Sequence, residues 1–479
     1  MARPKGESRT ARNFTRRQFL KASAAGLSFM YLPGMGRVKA APFALLNPGD
    51  HYGRLCYNEN PLGPSPMALT AMQQAAPEAN WYPDWFSSTL EAQIASSHGL
   101  QPNNICVGTG ATEVLRLIAD AFLAAGDEMV TATPTYYQMT YEATANGASV
   151  IHVPLDGNFI IDLNAIKQAI TPNTTLISLV NPNNPLGTCF HRGEMHRFVN
   201  SVPSGIVILV DEAYHQYIHN PNYESCIHYV NEGKPVIIVR TFSKVFGLAG
   251  ARIGYSVAPS QYTSQIASSQ NFGMVSNVSQ AAAQAALRDH QHVNQTVQLN
   301  DQAKHILETG CDELNLEYIP SETNFMMIKV GDGAWFLAQL ANRGYQVRTG
   351  WGMSEYIRVS TGTIEEMYGF IDALRDILNS GIKVGTSPTF GLNAIYPSPF
   401  SSYCTVTITS FGNERVFLAI YDASGRKVNT LVNQKLTPGV HNFTWDGRDV
   451  HGRKAASGVY IMNLLQGEFA DSRKVTLVR

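Results

Sequence analysis

The chain of 479 residues is 44% hydrophobic, and its 36 basic and 37 acidic side chains leave a formal net charge of −1 at pH 7. That length allows two or three domains around a large core. The near balance of charge excludes a basic nucleic-acid-binding module, so no nucleic-acid partner is expected.

At the N-terminus, Thr15-Arg16-Arg17-Gln18-Phe19-Leu20-Lys21 precedes a mildly apolar stretch, Ala22 to Leu32, and then Val38-Lys39-Ala40-Ala41. A charged leader, an apolar run too short to span a bilayer and a small-residue cleavage site make residues 1–40 an export signal rather than part of the fold. The arginine pair followed by Phe-Leu-Lys resembles a twin-arginine signal. A disordered basic tail would not need all three parts in order. Six cysteines (Cys56, Cys106, Cys189, Cys226, Cys311, Cys404) are scattered without C-x-x-C pairs, so no zinc or other metal site is expected. They read as small core residues. Export would permit disulfides, but the spacing gives no pairing.

Pro42 to Pro66 has little periodicity and contains Asn58-Glu59-Asn60-Pro61-Leu62-Gly63-Pro64, an extended arm followed by turns. Ser65 to Gln74 reads as a short helix. The aromatic loop Trp81-Tyr82-Pro83-Asp84 reads as packing unless a ligand lies near it.

From Asn103 to Arg240, apolar runs alternate with helical stretches, the pattern of βαβ units on a mainly parallel sheet. A strand at Asn104–Gly108 leads into Gly108-Thr109-Gly110-Ala111-Thr112-Glu113 and a helix, Val114 to Ala124, that stops before Gly126. Glycines and a threonine at a helix start suit an anion, although an ordinary capped helix is the commoner reading of such a string alone. Thr175–Val180 is followed by Asn181-Pro182-Asn183-Asn184-Pro185-Leu186-Gly187. Ile206–Val210 ends in Asp211-Glu212-Ala213-Tyr214, and Pro235–Arg240 leads into Thr241-Phe242-Ser243-Lys244, with Arg252 eight residues on.

Four times, then, a strand ends and polar, Gly- or Pro-rich sequence begins. In open parallel sheets ligands bind outside the carboxyl ends of the strands, so these stretches should converge on one crevice. Lys244, an amine among small and hydroxyl residues with a cation near it, suits a lysine whose pKa is lowered so that it can react. On its own segment a surface lysine in a Gly-rich loop is as good a reading; the joint placement of the four stretches favours the reactive one.

After Ser276 the chain is helical from Ser279 to Leu307. A smaller mixed segment follows, with strands at Asn324–Val330, Tyr345–Arg348 and Tyr356–Ser360 and helices near Ala334–Asn342 and at Ile364–Leu378. Arg358, within a strand, is either a charge solvating an edge or an anion clamp. Residues 381–392 read as a linker. Short alternating strands at Val406–Thr409, Val416–Tyr421, His441–Trp445 and Val459–Leu464 then suggest a small all-β sandwich.

Residues Leu55 to Leu378 resemble the fold-type-I pyridoxal-phosphate aminotransferases of class I/II, and most of all their histidinol-phosphate aminotransferase branch. The resemblance rests on Asn58–Ser65, Gly110–Glu113, Pro134-Thr135-Tyr136, Asn181–Gly187, Asp211–Tyr214, Ser243-Lys244 with Arg252, and Arg358-Val359-Ser360. It implies an α/β fold: a three-layer, mainly parallel sheet over a large domain of about residues 80–290, with a smaller α+β domain from 41–75 and 300–380.

The same resemblance implies pyridoxal 5′-phosphate as cofactor. Lys244 would hold it covalently and carry the proton, and Asp211 would pair with its ring nitrogen. Asn184 and Tyr214 would bond the ring hydroxyl, and Tyr136 would stack on the ring. The backbone of Ala111 and Thr112, with Thr241, Ser243 and Arg252, would hold the phosphate. Tyr82 would reach the neighbouring subunit's site, which implies a homodimer with shared active sites. Arg358, assisted by Arg348 and Asn60, would bind substrate.

The implied reaction moves an amino group between a small-molecule donor (an amino acid or amine, histidinol-phosphate-like or aromatic) and a 2-oxo acid such as 2-oxoglutarate. A lyase or decarboxylase on the same scaffold is a second reading, and an inactive surface-attached binding protein a third. The chain departs from the family at Leu186, where threonine is usual, and in its export signal, since histidine biosynthesis is cytoplasmic. Residues 393–479 resemble the C-terminal sorting domains of type IX secretion, related to flagellar hook-cap immunoglobulin-like modules, on Tyr396–Phe400, Tyr421–Arg426, Trp445–Arg448 and Ala456–Tyr460. That resemblance implies an immunoglobulin-like sandwich. The implied export partners are the twin-arginine translocase and type IX secretion machinery, and the destination is the periplasm, cell surface or medium.

Overall fold

A computed structural model describes residues 53–270, 275–379, 391–410, 415–422, 425–436, 439–466 and 469–478. The expected export signal and residues 381–390 of the expected linker lie outside the described residues. Two compact units divide the chain between Ser387 and Pro388, and each is taken by itself. Among the described residues no helix is long and apolar enough to cross a membrane.

The first unit is built on a seven-stranded sheet. Its strands are β1 (Ile105–Gly108), β2 (Glu128–Thr133), β3 (Ser149–Pro154), β4 (Thr174–Val180), β5 (Val207–Asp211), β6 (Val236–Thr241) and β7 (Gly254–Val257). They lie in the order β1-β7-β6-β5-β4-β2-β3. Neighbours from β6 to β3 pair in parallel, while β7 runs antiparallel to both β6 and β1. The central strands are apolar on both faces, as strands covered on both sides must be. Their period of two sends Ile208, Val210, Val236 and Ile238 to one buried cluster and Val207, Leu209, Ile237 and Val239 to the other. Helices close both faces, which gives the three expected layers.

The expected helix at Val114 to Ala124 begins earlier, running Gly110–Phe122, so the glycine string is its first turn. The helical stretch expected as Ser279 to Leu307 is two helices, Asn277–Ala286 and His290–Glu313. Ser276 caps the first by accepting the Ser279 N–H, and Asp289 caps the second by accepting the His292 N–H.

A smaller three-stranded sheet, β8 (Tyr318–Ile319), β9 (Phe325–Lys329) and β10 (Tyr356–Ser360), is antiparallel in the order β10-β9-β8. It packs with the helices His290–Glu313, Gly333–Ala341 and Ile364–Asn379 around Leu307, Ile328, Phe336, Ile357, Phe370 and Leu374. Two expectations are corrected here. Tyr345–Arg348 is not a strand but makes isolated bridges, Arg54 with Gln346 and Arg348 with Arg358. The helix Pro66–Ala75, assigned by sequence to the smaller domain, places Ala68 in the core of the large sheet, with Met72 packed half-buried against it; Leu55, by contrast, does join the smaller core.

Among its described residues the second unit has seven strands rather than the four expected. One sheet is β11 (Gly391–Tyr396), β12 (Cys404–Ser410) and β15 (Gly439–Trp445), in the order β11-β12-β15. The other is β14 (Lys427–Lys435), β13 (Arg415–Asp422), β16 (Gly458–Gln466) and β17 (Phe469–Leu477), in that order. Leu392, Val406 and Trp445 of one sheet share a core with Leu418, Met462 and Val475 of the other, which makes a sandwich. Gly391 and Leu392, expected in the linker, belong to β11. All six cysteines are unpaired; Cys189 is half-buried and the rest are buried.

Candidate active site

Strand register brings the four expected stretches together. Val180 of β4 lies opposite Asp211 of β5, and Asp211 lies opposite Val239 of β6. Gly254 of β7 faces both Thr241 of β6 and Gly108 of β1. The ends of β1, β4, β5 and β6 therefore form one row along the carboxyl edge, and the sequence after each enters the same space.

Lys244 stands just past β6, in a turn where the Ser243 N–H donates to Thr241 Oγ1 at 3.0 Å. Its Nζ donates to the carbonyl oxygens of Tyr57 (3.0 Å) and Asn58 (3.1 Å) and lies 5.7 Å from the centre of the Tyr214 ring. Burial pulls its pKa down to about 7; the Arg358 and Arg252 guanidiniums act the same way, against Glu59 and Asp211. Asp211 ends β5, buried, with Oδ1 accepting the Ala213 N–H at 3.0 Å. Burial pushes its carboxyl up to about 6, with Glu212 adding to the rise while the Ala213 bond and Lys244 oppose it. Lys244 and Asp211 thus share one site, each shifted toward its neutral form.

A hydrogen-bond network covers the same space. The Tyr214 hydroxyl accepts from Asn58 Nδ2 (2.9 Å) and Asn184 Nδ2 (3.4 Å), and Asn184 Oδ1 accepts from Arg358 Nη1 at 2.6 Å. Arg358 Nη2 donates to the Cys56 carbonyl at 2.9 Å, while its buried Nε has no partner among the described residues. At 2% exposure Arg358 cannot be a charge that solvates an edge. Burial lowers its pKa to about 10, still far above neutrality, so the site holds a desolvated cation.

The start of helix Gly110–Phe122 supplies a second positive recess. Gly110 has φ +79°, and a Cβ there would lie 2.5 Å from Arg252 Nη2; a Cβ on Gly254 would lie 2.2 Å from the Ala111 nitrogen. Glycine at both places lets the Arg252 guanidinium and strand β7 close on the helix's first turn. Backbone N–H groups at a helix start beside a guanidinium suit a phosphate. Burial pushes the Tyr136 hydroxyl above its usual range, and Thr112 beside it acts the other way. A buried carboxylate, a lysine of low pKa, a phosphate recess and an unpartnered guanidinium nitrogen fit pyridoxal 5′-phosphate with its substrate.

Two expected residues stand apart. Tyr82 is 85% exposed, edge-on to Trp85 at 6.1 Å, and is not gathered into the site of the single chain. Asn60 is corrected from substrate binding to support: its Nδ2 donates to the Val245 carbonyl (2.9 Å) and Thr296 Oγ1 (3.1 Å), and its Oδ1 accepts the Leu62 N–H (2.9 Å). The amide is spent tying the arm to the lysine segment.

Sequence reasoning missed Asn58, whose φ of +56° is tolerated by asparagine and aims its amide at Tyr214. It also missed Asn324, which donates to the Asn58 carbonyl at 3.0 Å, and the rings of Tyr57, Phe325 and Trp351 around the arginines. Asn58 lay inside a motif already singled out; nothing local marked the others. Leu186, the departure from the family's threonine, is fully buried against Ile319 and Met327 of the smaller sheet.

Residues 51–374 match the family model "Aminotransferase class I and II", and residues 404–464 match "FlgD Ig-like domain". The histidinol-phosphate aminotransferase of Moorella thermoacetica is 38% identical over 329 residues, 68% of this chain and 85% of that protein. That of Akkermansia muciniphila is 37% identical over 350 residues, 73% of this chain and 96% of that protein. Among solved structures, the histidinol-phosphate aminotransferase of Sinorhizobium meliloti in complex with pyridoxal-5′-phosphate aligns with TM-score 0.65 and 28% identity, covering 68% of this chain and 91% of that one.

Proposed function

Since the chain belongs to the class I and II aminotransferases, we propose that it is an exported enzyme that moves an amino group from an amino acid or amine to a 2-oxo acid such as 2-oxoglutarate. It is a histidinol-phosphate aminotransferase-like, pyridoxal-phosphate-dependent transaminase. The observation that carries the reading is the meeting of Lys244 and Asp211 at one crevice, with an unpartnered arginine nitrogen at its side.

Pyridoxal 5′-phosphate supplies an electron sink for the substrate's α-carbon when bound. The residues of the chain do the rest. Gly110, Ala111 and Thr112 offer backbone N–H groups to the phosphate beside Arg252. Asp211 keeps negative charge at the ring nitrogen, and Asn184 with Tyr214 offers donors at the ring hydroxyl. Lys244 Nζ, whose pKa burial lowers to about 7, would be the amine that holds the cofactor and, when free, the base positioned to carry a proton. Arg358 binds an anionic group of the substrate and, through Asn184, ties that binding to the ring.

We assign the second subunit's contribution to Tyr82, which stands among the exposed rings of Trp81 (71%), Phe86 (57%) and Trp85 (49%). Rings so exposed support a homodimer that covers them. Mixing Lys244→Ala with Tyr82→Ala chains, each inactive alone, should restore activity if sites are shared.

Passage through the twin-arginine translocase and onward through type IX secretion machinery rests on residues 15–41 and on the C-terminal module. Replacing Arg16 and Arg17 by lysine should keep the protein in the cytoplasm. Recovery of that variant outside the cell would refute the twin-arginine route, and retention of the unaltered protein in the cytoplasm would refute export. The reaction itself is tested by adding amino donors to the yellow holoenzyme: the visible band should fall and return with 2-oxoglutarate. Release of ammonia with no regeneration would point to a lyase.

A further inference from the structure

Arg348 and Arg358 are antiparallel bridge partners: the Arg348 N–H donates to the Arg358 carbonyl at 3.0 Å and the Arg358 N–H to the Arg348 carbonyl at 2.7 Å. Directly opposed residues project to the same face, so two cations stand side by side, an arrangement that is unfavourable unless something separates or pairs them. No carboxylate pairs with either side chain among the described residues. One ring stands by both instead: Trp351 has its centre 4.9 Å from Arg358 Cζ and 5.8 Å from Arg348 Cζ.

The stacking continues outward on both sides. Arg348 Cζ lies 5.8 Å from the centre of the Tyr57 ring, and Arg54 Cζ lies 5.1 Å from that same ring. Arg358 Cζ lies 5.1 Å from Phe325. Arg54 is in turn tied to Glu59 at 3.0 Å. Cations within about 6 Å of a ring centre are attracted to it, so each ring in this alternating series restrains the guanidiniums beside it.

The backbone at Trp351 shows how strongly the position is determined. Gly350, Trp351 and Gly352 have φ of +131°, +58° and +75° in succession. The glycines adopt such values freely, but a tryptophan there is a rare conformer that the surroundings must hold. A Cβ on either glycine would meet nothing within 4 Å, so the glycines serve the turn rather than close packing. The loop's ring is what touches the site.

We propose that Trp351, together with Tyr57, is a positioning residue that fixes Arg348 beside Arg358 and so sets a preference for doubly anionic over singly anionic substrates. The inference rests on the aminotransferase reading and deepens it. A guanidinium left free would swing toward solvent, where its charge is cheap to hydrate. Held between two rings, it stays next to Arg358 and leaves the pair of charges to be balanced by the substrate, whether as two carboxylates or as a phosphate ester.

The test uses full-length holoenzyme carrying Trp351→Ala or Trp351→Phe. It compares KM and kcat for glutamate and for an amine phosphate ester with those for phenylalanine and alanine. Trp351→Ala should raise KM for the two doubly anionic donors about tenfold, change it about twofold or less for the singly anionic donors, and leave kcat nearly unchanged; Trp351→Phe should restore most of the preference. A rise only for the dicarboxylate or only for the ester would support the proposal and say which anion the pair receives. Equal losses for all donors, or none, would overturn it. A turnover-independent arm, displacement of the cofactor's visible band by a dicarboxylate against a monocarboxylate inhibitor, should show the same selective loss. If the wild-type protein aminates no 2-oxo acid, the aminotransferase reading fails instead, and the inhibitor arm still decides the role of Trp351.

Discussion

Arg358 Nη1 donates to Asn184 Oδ1 at 2.6 Å, across 174 residues of sequence. The bond joins β10 to the loop that follows β4. Asn184 Nδ2 in turn reaches the Tyr214 hydroxyl, so a change at the arginine is transmitted to Tyr214. Arg358→Lys keeps the charge but loses the planar fork, which cannot be matched by one ammonium. Loss of a charged hydrogen bond costs about 1.5–3 kcal/mol, so KM for anionic substrates should rise roughly tenfold to a hundredfold. Steady-state kinetics with glutamate checks this, and an unchanged KM would remove Arg358 from substrate binding.

Lys244→Ala should abolish the visible absorbance of the lysine-bound cofactor and lower transamination by roughly 10³-fold or more, since both attachment and proton transfer are lost. Absorbance spectra after dialysis with pyridoxal 5′-phosphate, and single-turnover amine transfer, measure the two effects separately. Retention of the band would mean that another amine holds the cofactor.

Much of this site was legible because its residues follow strand ends. Gly110, Asn184, Asp211 and Lys244 each sit at or just beyond the end of an apolar run, and strand register alone carries them to one edge. What was not legible depends on packing between distant parts of the chain. Asn58 and Asn60 stand two residues apart in one motif, yet only the fold tells which amide faces Tyr214 and which is consumed by Val245 and Thr296. Trp351 gave no periodic signal, being in a loop. In the C-terminal sandwich the missed strands β11, β14 and β17 are all sheet edges. Edge strands carry polar residues such as those of Lys427–Lys435, which blur the alternation that marks a strand.

Gly110→Ala should weaken cofactor binding rather than the chemistry. The new methyl would lie 2.5 Å from Arg252 Nη2 on a backbone with φ +79°, so the guanidinium or the helix start must move. Breaking one charged hydrogen bond to the phosphate, at about 1.5–3 kcal/mol, corresponds to roughly a tenfold or larger rise in the Kd for pyridoxal 5′-phosphate. Titration of the apoenzyme by its visible band checks it, with kcat at saturating cofactor expected to change little.

Beneath the site, Arg240 Nη2 and Nε donate to Glu212 Oε2 at 2.7 and 3.1 Å, and Ser225 Oγ both donates to that oxygen at 2.8 Å and accepts from Arg240. The arginine and glutamate side chains are 6% and 0% exposed. Removing one partner strands a buried charge, so Arg240→Ala should cost about 3–5 kcal/mol and lower Tm by several degrees. The double change Arg240→Met with Glu212→Leu should recover a large part of it. Thermal unfolding of the apoenzyme variants measures both, and a double variant as unstable as the single one would mean that the pair's hydrogen bonds, not its stranded charge, matter.

The stability of the apoenzyme should pass through a minimum near neutral pH. Asp211 has a folded pKa of about 6 against an ordinary 3.8, so the folded chain binds more protons between those values and loses stability as pH rises through that window. Lys244 has a folded pKa of about 7 against an ordinary 10.5, so here the unfolded chain binds more protons and stability returns as pH rises from about 7 to 10.5. Between the two windows both groups carry charge that burial opposes. With pyridoxal 5′-phosphate bound, Asp211 gains a partner and the Lys244 amine is occupied, so the rise in Tm on adding it should be largest at about pH 6–7 and smaller at about pH 4.5 and pH 9.5. Denaturant or thermal melts of apo- and holoenzyme across that range provide the check. Substituting Lys244→Met should flatten the alkaline arm while leaving the acid arm in place, and an alkaline arm that survives the substitution would assign it to another group.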